Sequence, residues 1–96
     1  MECKFADLTI QQVTYLVSAD IHPYIVTGEK MNEIAEVFDL HNQSEEDLMA
    51  IRNSVVATLG ALTSEEIKLG NVKLYEQLQA NMSGITATID HVMMTK

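Results

Sequence analysis

Residues 77–95 of this 96-residue chain read QLQANMSGITATIDHVMMT and carry one formal charge, Asp90, although 21% of the chain is charged. A solvated helix sets Lys and Glu on its outer face. A helix without them has to be covered on more than one side, by its own chain or by another molecule. In so short a chain that requirement dominates the fold, because much of the remaining apolar surface is needed to wrap one helix.

The length predicts a single domain, residues 1–96, with a modest core. That core rests on aliphatic side chains and six Met, since there is no Trp, two Phe and three Tyr. Methionine packs adaptably and suits surfaces that rearrange.

Helix signals run along the whole chain. Thr9 and Gln12 make a capping box, with Leu8 and Val13 at the spacing of a hydrophobic staple, so a helix is expected to start near Ile10. Its stripe reads Ile10, Val13, Val17, Ile21, Tyr24. Pro23 interrupts it, since a mid-helix proline removes a hydrogen bond and clashes with the preceding turn, and a break is expected between Ile21 and Gly28. A second helix is expected over about 29–40, with Met31, Ile34, Ala35 and Phe38 inward, followed by a turn at His41, Asn42 and Gln43. Ser44 with Asp47 opens a third helix, carrying Leu48, Ile51, Val55 and Leu59 and ending near Gly60.

Thr63 and Glu66 predict a further box and a fourth helix running from about Ser64 to Met94, roughly 45 Å long. Its stripe is Ile67, Asn71, Leu74, Leu78, Met82, Ile85, Ile89, Val92, a period near 3.6 broken only by the polar Asn71. Beside it lie Ala80, Gly84 and Thr88 at four-residue spacing. Small residues so placed let another backbone approach closely, and this could offset the roughly 1 kcal/mol that a mid-helix Gly loses against Ala; the alternative is that Gly84 kinks or ends the helix. The fold class expected is all-α: a small helical bundle with a long C-terminal helix, oligomeric through that helix. Leu74, Leu78, Ala80, Met82, Gly84, Ile85 and Ile89 are the expected self-association residues.

Charge narrows the function. The formal net charge is −8, and the stretch 29–47 holds seven acids against one base, Lys30. Six Lys and Arg in all are too few to neutralise a run of phosphates, so no direct nucleic-acid binding is expected. An anionic membrane would repel the chain, and no run of eighteen apolar residues occurs to span one. Glu29, Glu33, Glu36 and Asp39 form a row of like charges one helical turn apart. Such pairs each destabilise an isolated helix by roughly 0.2–0.5 kcal/mol, so the row is either a solubilising surface or a face for a basic protein partner. The lone Cys3 excludes an internal disulfide and suits a reducing compartment. The first ten residues lack a signal-peptide core, and the expected location is cytoplasmic.

No catalytic chemistry is asked for. His22, His41 and His91 are far apart and lack ligands at zinc spacing, so neither metal nor cofactor is expected. No nucleophile elbow, triad signature or phosphate-binding glycine loop is present. In size, acidity and helicity the chain resembles phage-encoded inhibitors of host enzymes and small chaperones of bacterial secretion systems, a likeness of composition that covers no motif. The expectation is a non-enzymatic acidic helical interaction protein, an inhibitor, adaptor or regulator of another protein, that self-associates through its C-terminal helix. Two alternatives accompany it. One is a DNA mimic whose carboxylates imitate phosphates; the other is a secretion chaperone or co-chaperone subunit whose uncharged helix binds a different protein.

Overall fold

A computed structural model describes residues 8–22 and 25–95. The described residues form helices α1 (Ile10–Ser18), α2 (Gly28–Phe38), α3 (Glu45–Leu62), α4 (Glu65–Gly70) and α5 (Val72–Met94), with a 3-10 turn at Leu40–Asn42 between α2 and α3. No strand occurs among them, and the fold is an all-α bundle with a long C-terminal helix. Cys3, Pro23 and Tyr24 lie outside the described residues.

The helix starts follow local chemistry. Thr9 Oγ1 accepts from the Gln12 amide at 3.1 Å while the Gln12 side chain accepts from the Thr9 amide at 3.0 Å, closing the capping box. Thr27 and Ser44 cap α2 and α3 in the same way through the amides of Lys30 and Asp47. The Thr63–Glu66 box does not form. Thr63 Oγ1 donates backwards to Leu59 and Gly60 instead, and the cap position of α4 falls to Ser64, which makes no side-chain cap. With Thr63 thus committed to the preceding helix, α3 runs on to Leu62 rather than stopping near Gly60.

The thirty-residue helix expected at the C-terminus is two helices. Asn71 leaves the helical region at φ −153° and ψ 84°, and its side chain accepts from the Leu74 amide at 3.1 Å, so it caps a new helix. The residue that interrupted the apolar stripe is the residue that breaks the helix.

α1 also differs from its expected face. Ile10 is 87% exposed and Val17 is exposed, whereas Leu16 is fully buried. The inward direction is set by Tyr15, whose ring meets Phe38 edge to face at 6.2 Å, and by Gln12, which donates to the Val37 carbonyl of α2. The helix ends at Ser18, before the break expected after Ile21, with Ala19 in an extended conformation as its C-cap.

Every other element packs against α5. α3 supplies the largest contact through Leu48, Ile51, Val55 and Leu59, all buried, opposite Leu78, Ile85, Ile89 and Val92 of α5. Each fully buried aliphatic side chain contributes about 1.5–3 kcal/mol. Arg52 Nε donates to Asp90 Oδ1 at 3.0 Å, which sets the N-terminal half of α3 beside the C-terminal half of α5, antiparallel. The single charge of the 77–95 segment is thus paired across the main helix contact.

Candidate functional site

The two sets of residues singled out above have opposite fates. Of the expected self-association residues, Leu78, Ala80, Gly84, Ile85 and Ile89 are buried within the chain's own fold; Met82 is half-buried and Leu74 exposed. A second copy cannot seat on the buried five without opening the bundle. The small-residue face does take a close neighbour, but that neighbour is Ile21, with Val26 beside it, from between α1 and α2. A Cβ built on Gly84 would lie 2.5 Å from Ile21 Cγ2 and 3.4 Å from Val26 Cγ2. The helix runs unbroken through Gly84 because the missing side chain makes room for Ile21.

A polar clasp holds that segment in place. Asn81, fully buried on α5, donates from Nδ2 to the Leu16 carbonyl at 2.8 Å, and its Oδ1 accepts from Gln77 Nε2 at 2.8 Å and, at a long 3.4 Å, from the Ile21 amide. Gln77 Nε2 also reaches the Ile21 carbonyl at 3.2 Å. One side chain therefore satisfies an orphan carbonyl at the end of α1 and an amide of the chain leaving it. No buried side-chain nitrogen or oxygen among the described residues lacks a partner. The sequence analysis missed this pair. Its signal was present: two carboxamides one turn apart in a helix otherwise short of polar side chains with two donors and an acceptor.

The acidic stretch stays wholly at the surface. Glu29, Glu33, Glu36, Asp39, Glu45, Glu46 and Asp47 are all exposed. The expected row of four is nevertheless not uniform. Glu33 Oε2 accepts from Tyr15 at 2.7 Å and from Lys30 at 2.9 Å. Those hydrogen bonds, Tyr15's foremost, hold its carboxyl below the usual range. Burial, together with the same carboxylate, pushes the Tyr15 phenol well above its ordinary value. Asp39 has left the helix: it occupies the left-handed region at φ 53° as the C-cap of α2, and its Oδ1 accepts from Asn42 Nδ2 at 2.7 Å. Glu29 lies in the first turn of α2, and Glu45, Glu46 and Asp47 fill the first turn of α3, where the positive end of the helix favours them. Glu36 has neither benefit. It sits in the last turn of α2, exposed, with no cationic partner among the described residues.

At the other end of the molecule, α4 buries no side chain. Leu69 is 81% exposed and Val72 54% exposed, with Leu74 following one turn into α5. Lys68 lies over the Tyr75 ring, 5.6 Å from its centroid. An open cleft of about 630 Å³ runs from here along α5, from Lys73 past Glu76 to Ser83, and offers an ammonium, a carboxylate and carboxamides. Among the described residues no three His, Asp or Glu gather as a metal site would require, and no helix is long and apolar enough to cross a membrane.

No protein-family model matches this chain, and neither a curated protein nor a solved structure is detectably similar to it.

Proposed function

We propose that this chain is a non-enzymatic acidic interaction protein, acting in the cytoplasm, that presents the outer face of α2 to a protein with a basic surface as an inhibitor, adaptor or regulator. Glu36 carries the reading. A carboxylate at the negative end of a helix, without an internal partner, destabilises the fold slightly and gains only when a cation arrives from outside. Glu29 lies on the same helix, likewise exposed and without a cation among the described residues. Ile34, Ala35 and Phe38 on the opposite face are buried, so the acidic face is held rigidly and little ordering entropy is lost on binding. The DNA-mimic alternative has less support, because it needs a continuous row of free carboxylates and Glu33 and Asp39 are engaged within the chain.

The test is affinity capture from extract with the native chain and with the Glu29→Lys/Glu36→Lys variant, at low and high salt. The reading expects a protein that is retained by the native chain, released by salt and lost to the variant, whose helix content stays native. Equal retention by both chains would sink it.

A further inference from the structure

Two tripeptides of this chain match the acceptor pattern Asn-x-Ser that asparagine-linked glycosylation reads, Asn42-Gln43-Ser44 and Asn81-Met82-Ser83. The fold sets the two asparagines in opposite surroundings. Asn42 is exposed in the turn between α2 and α3, and its Nδ2 donates to Asp39 Oδ1 at 2.7 Å. Asn81 is fully buried on α5, and its Nδ2 donates to the Leu16 carbonyl at 2.8 Å. We propose that the Asn81 motif makes this fold incompatible with a compartment that glycosylates asparagine, so that the chain folds outside one, whereas Asn42 is a position that carries a glycan without loss of the fold.

The difference is decided at one atom. In the transfer, Nδ2 of the asparagine bonds to the anomeric carbon of an oligosaccharide held on a lipid pyrophosphate. The bond from that carbon to the pyrophosphate oxygen breaks, the pyrophosphate leaves with the electron pair, and the amide gives one proton to a base. The product keeps a single N–H on Nδ2. At Asn42 that N–H still serves Asp39 while the sugar extends into solvent. At Asn81 the sugar has no such space. One turn on, even a Cβ built on Gly84 would lie 2.5 Å from Ile21 Cγ2. The Leu16 carbonyl and the Ile21 amide both rest on the Asn81 carboxamide. A glycan at Nδ2 therefore displaces the end of α1 together with Ile21, and takes Leu16, Ala19 and Ile21 out of the core. Burial gives no protection beforehand, because the transferase reads the tripeptide in a chain not yet folded, where both asparagines are open.

Translation of the full chain behind a cleavable signal peptide, with glycosylating microsomes present, tests the proposal against a signal-free translation. Each glycan slows the chain on a denaturing gel and is removed by an endoglycosidase; resistance to limited proteolysis reports folding. The native chain is expected to be modified at both motifs, and every chain modified at Asn81 should have lost its protease resistance. Ser83→Ala removes that acceptor at an exposed position. It should leave the Asn42 glycan alone and restore resistance to the signal-free level. Adding Asn42→Gln should remove the remaining glycan and leave resistance as it is. A native chain that folds in the lumen with Asn81 unmodified would overturn the proposal, and so would one that carries a glycan there and still resists protease. Misfolding in the lumen that persists in Ser83→Ala would overturn it equally, by placing the cause elsewhere. The Glu29→Lys/Glu36→Lys variant should behave in this test as the native chain does, so the reading of α2 and this proposal fail separately.

Discussion

Residues 65–76 and 78–92 read as one continuous helix in the sequence and end in different environments. Leu78, Ile85, Ile89 and Val92 are buried, while Leu69, Val72 and Leu74 face solvent. Leu69 and Val72 stand off the stripe, and of its own members there Ile67 is half-buried and Leu74 exposed, so periodicity accounts for the first two and the length of the covering helix for Leu74. With Arg52 opposite Asp90, the antiparallel α3 reaches its last residue, Leu62, ten residues further on, level with Ala80. Below that level α5 has no α3 beside it, and the segment around Ile21 takes over only as far as Gln77 and Asn81. A helical stripe says which face must be covered. How far the cover extends is a property of its neighbours.

Substitution across the two regions should show the difference most clearly. Ile85→Ala removes a fully buried side chain and is expected to lower stability by about 3 kcal/mol in urea unfolding, whereas Leu69→Ala should stay within about 0.5 kcal/mol of native. A loss above about 1 kcal/mol at Leu69 would mean that the joint is covered in the monomer, and the contrast would fall.

The polar anchors come next in size. Asn81→Leu leaves the Leu16 carbonyl without its partner at a fully buried position, while Gln77 keeps the Ile21 carbonyl, an expected loss of about 2 kcal/mol. Asn71→Ala removes an exposed cap and should lose about 1 kcal/mol. Equal losses at the two positions would show that the clasp is open to water.

The two glycines give a smaller but signed comparison. Gly84→Ala gains about 1 kcal/mol of helix propensity but drives a methyl against Ile21, at about 1–3 kcal/mol for overpacking, so a net loss near 1 kcal/mol is expected. At Gly70 a Cβ meets nothing within 4 Å, and Gly70→Ala should raise the melting temperature slightly. A stabilising Gly84→Ala would show that Ile21 moves aside freely.

The smallest effect concerns pH. The Glu33 carboxyl has a lowered pKa in the folded chain, so its contribution is complete above the ordinary carboxylate range and is lost as pH falls through the folded value. Tyr15 has a raised pKa, so its contribution is complete below the ordinary phenol value and is lost as pH rises past it. Both ends of the stability–pH curve should flatten in Tyr15→Phe. Solvent screening of the exposed carboxylate keeps the change small. Native slopes at both ends in the variant would place Glu33's stabilisation elsewhere.

Much of the local structure was legible in the chain. The Thr9–Gln12 box and the Ser44 cap read correctly because a cap is decided within four residues. Thr63 misled, because its hydroxyl had an equally local choice and bonded back to Leu59. The face of α1 misled for a different reason: nine residues make fewer than three turns, and Leu16 and Val17 are adjacent candidates until a partner chooses between them. Asn71 and Gly84 were both noticed as irregularities, but their consequences depended on what lay alongside. One caps a helix at an uncovered joint; the other admits Ile21.

What the sequence determined by itself was the helical class, the positions of most helix starts, the need to cover α5, and an acidic surface between 29 and 47. These follow from hydrogen bonds and periodicities that span one or two turns, and from charges that solvent keeps outside. Only the tertiary structure decided that the small-residue face is filled by Ile21, that Asn81 and Gln77 hold the end of α1, and that Leu74 of the apolar stripe faces solvent. Those outcomes join residues some sixty positions apart, and local rules carry no information about which distant segment arrives or where a packed neighbour ends.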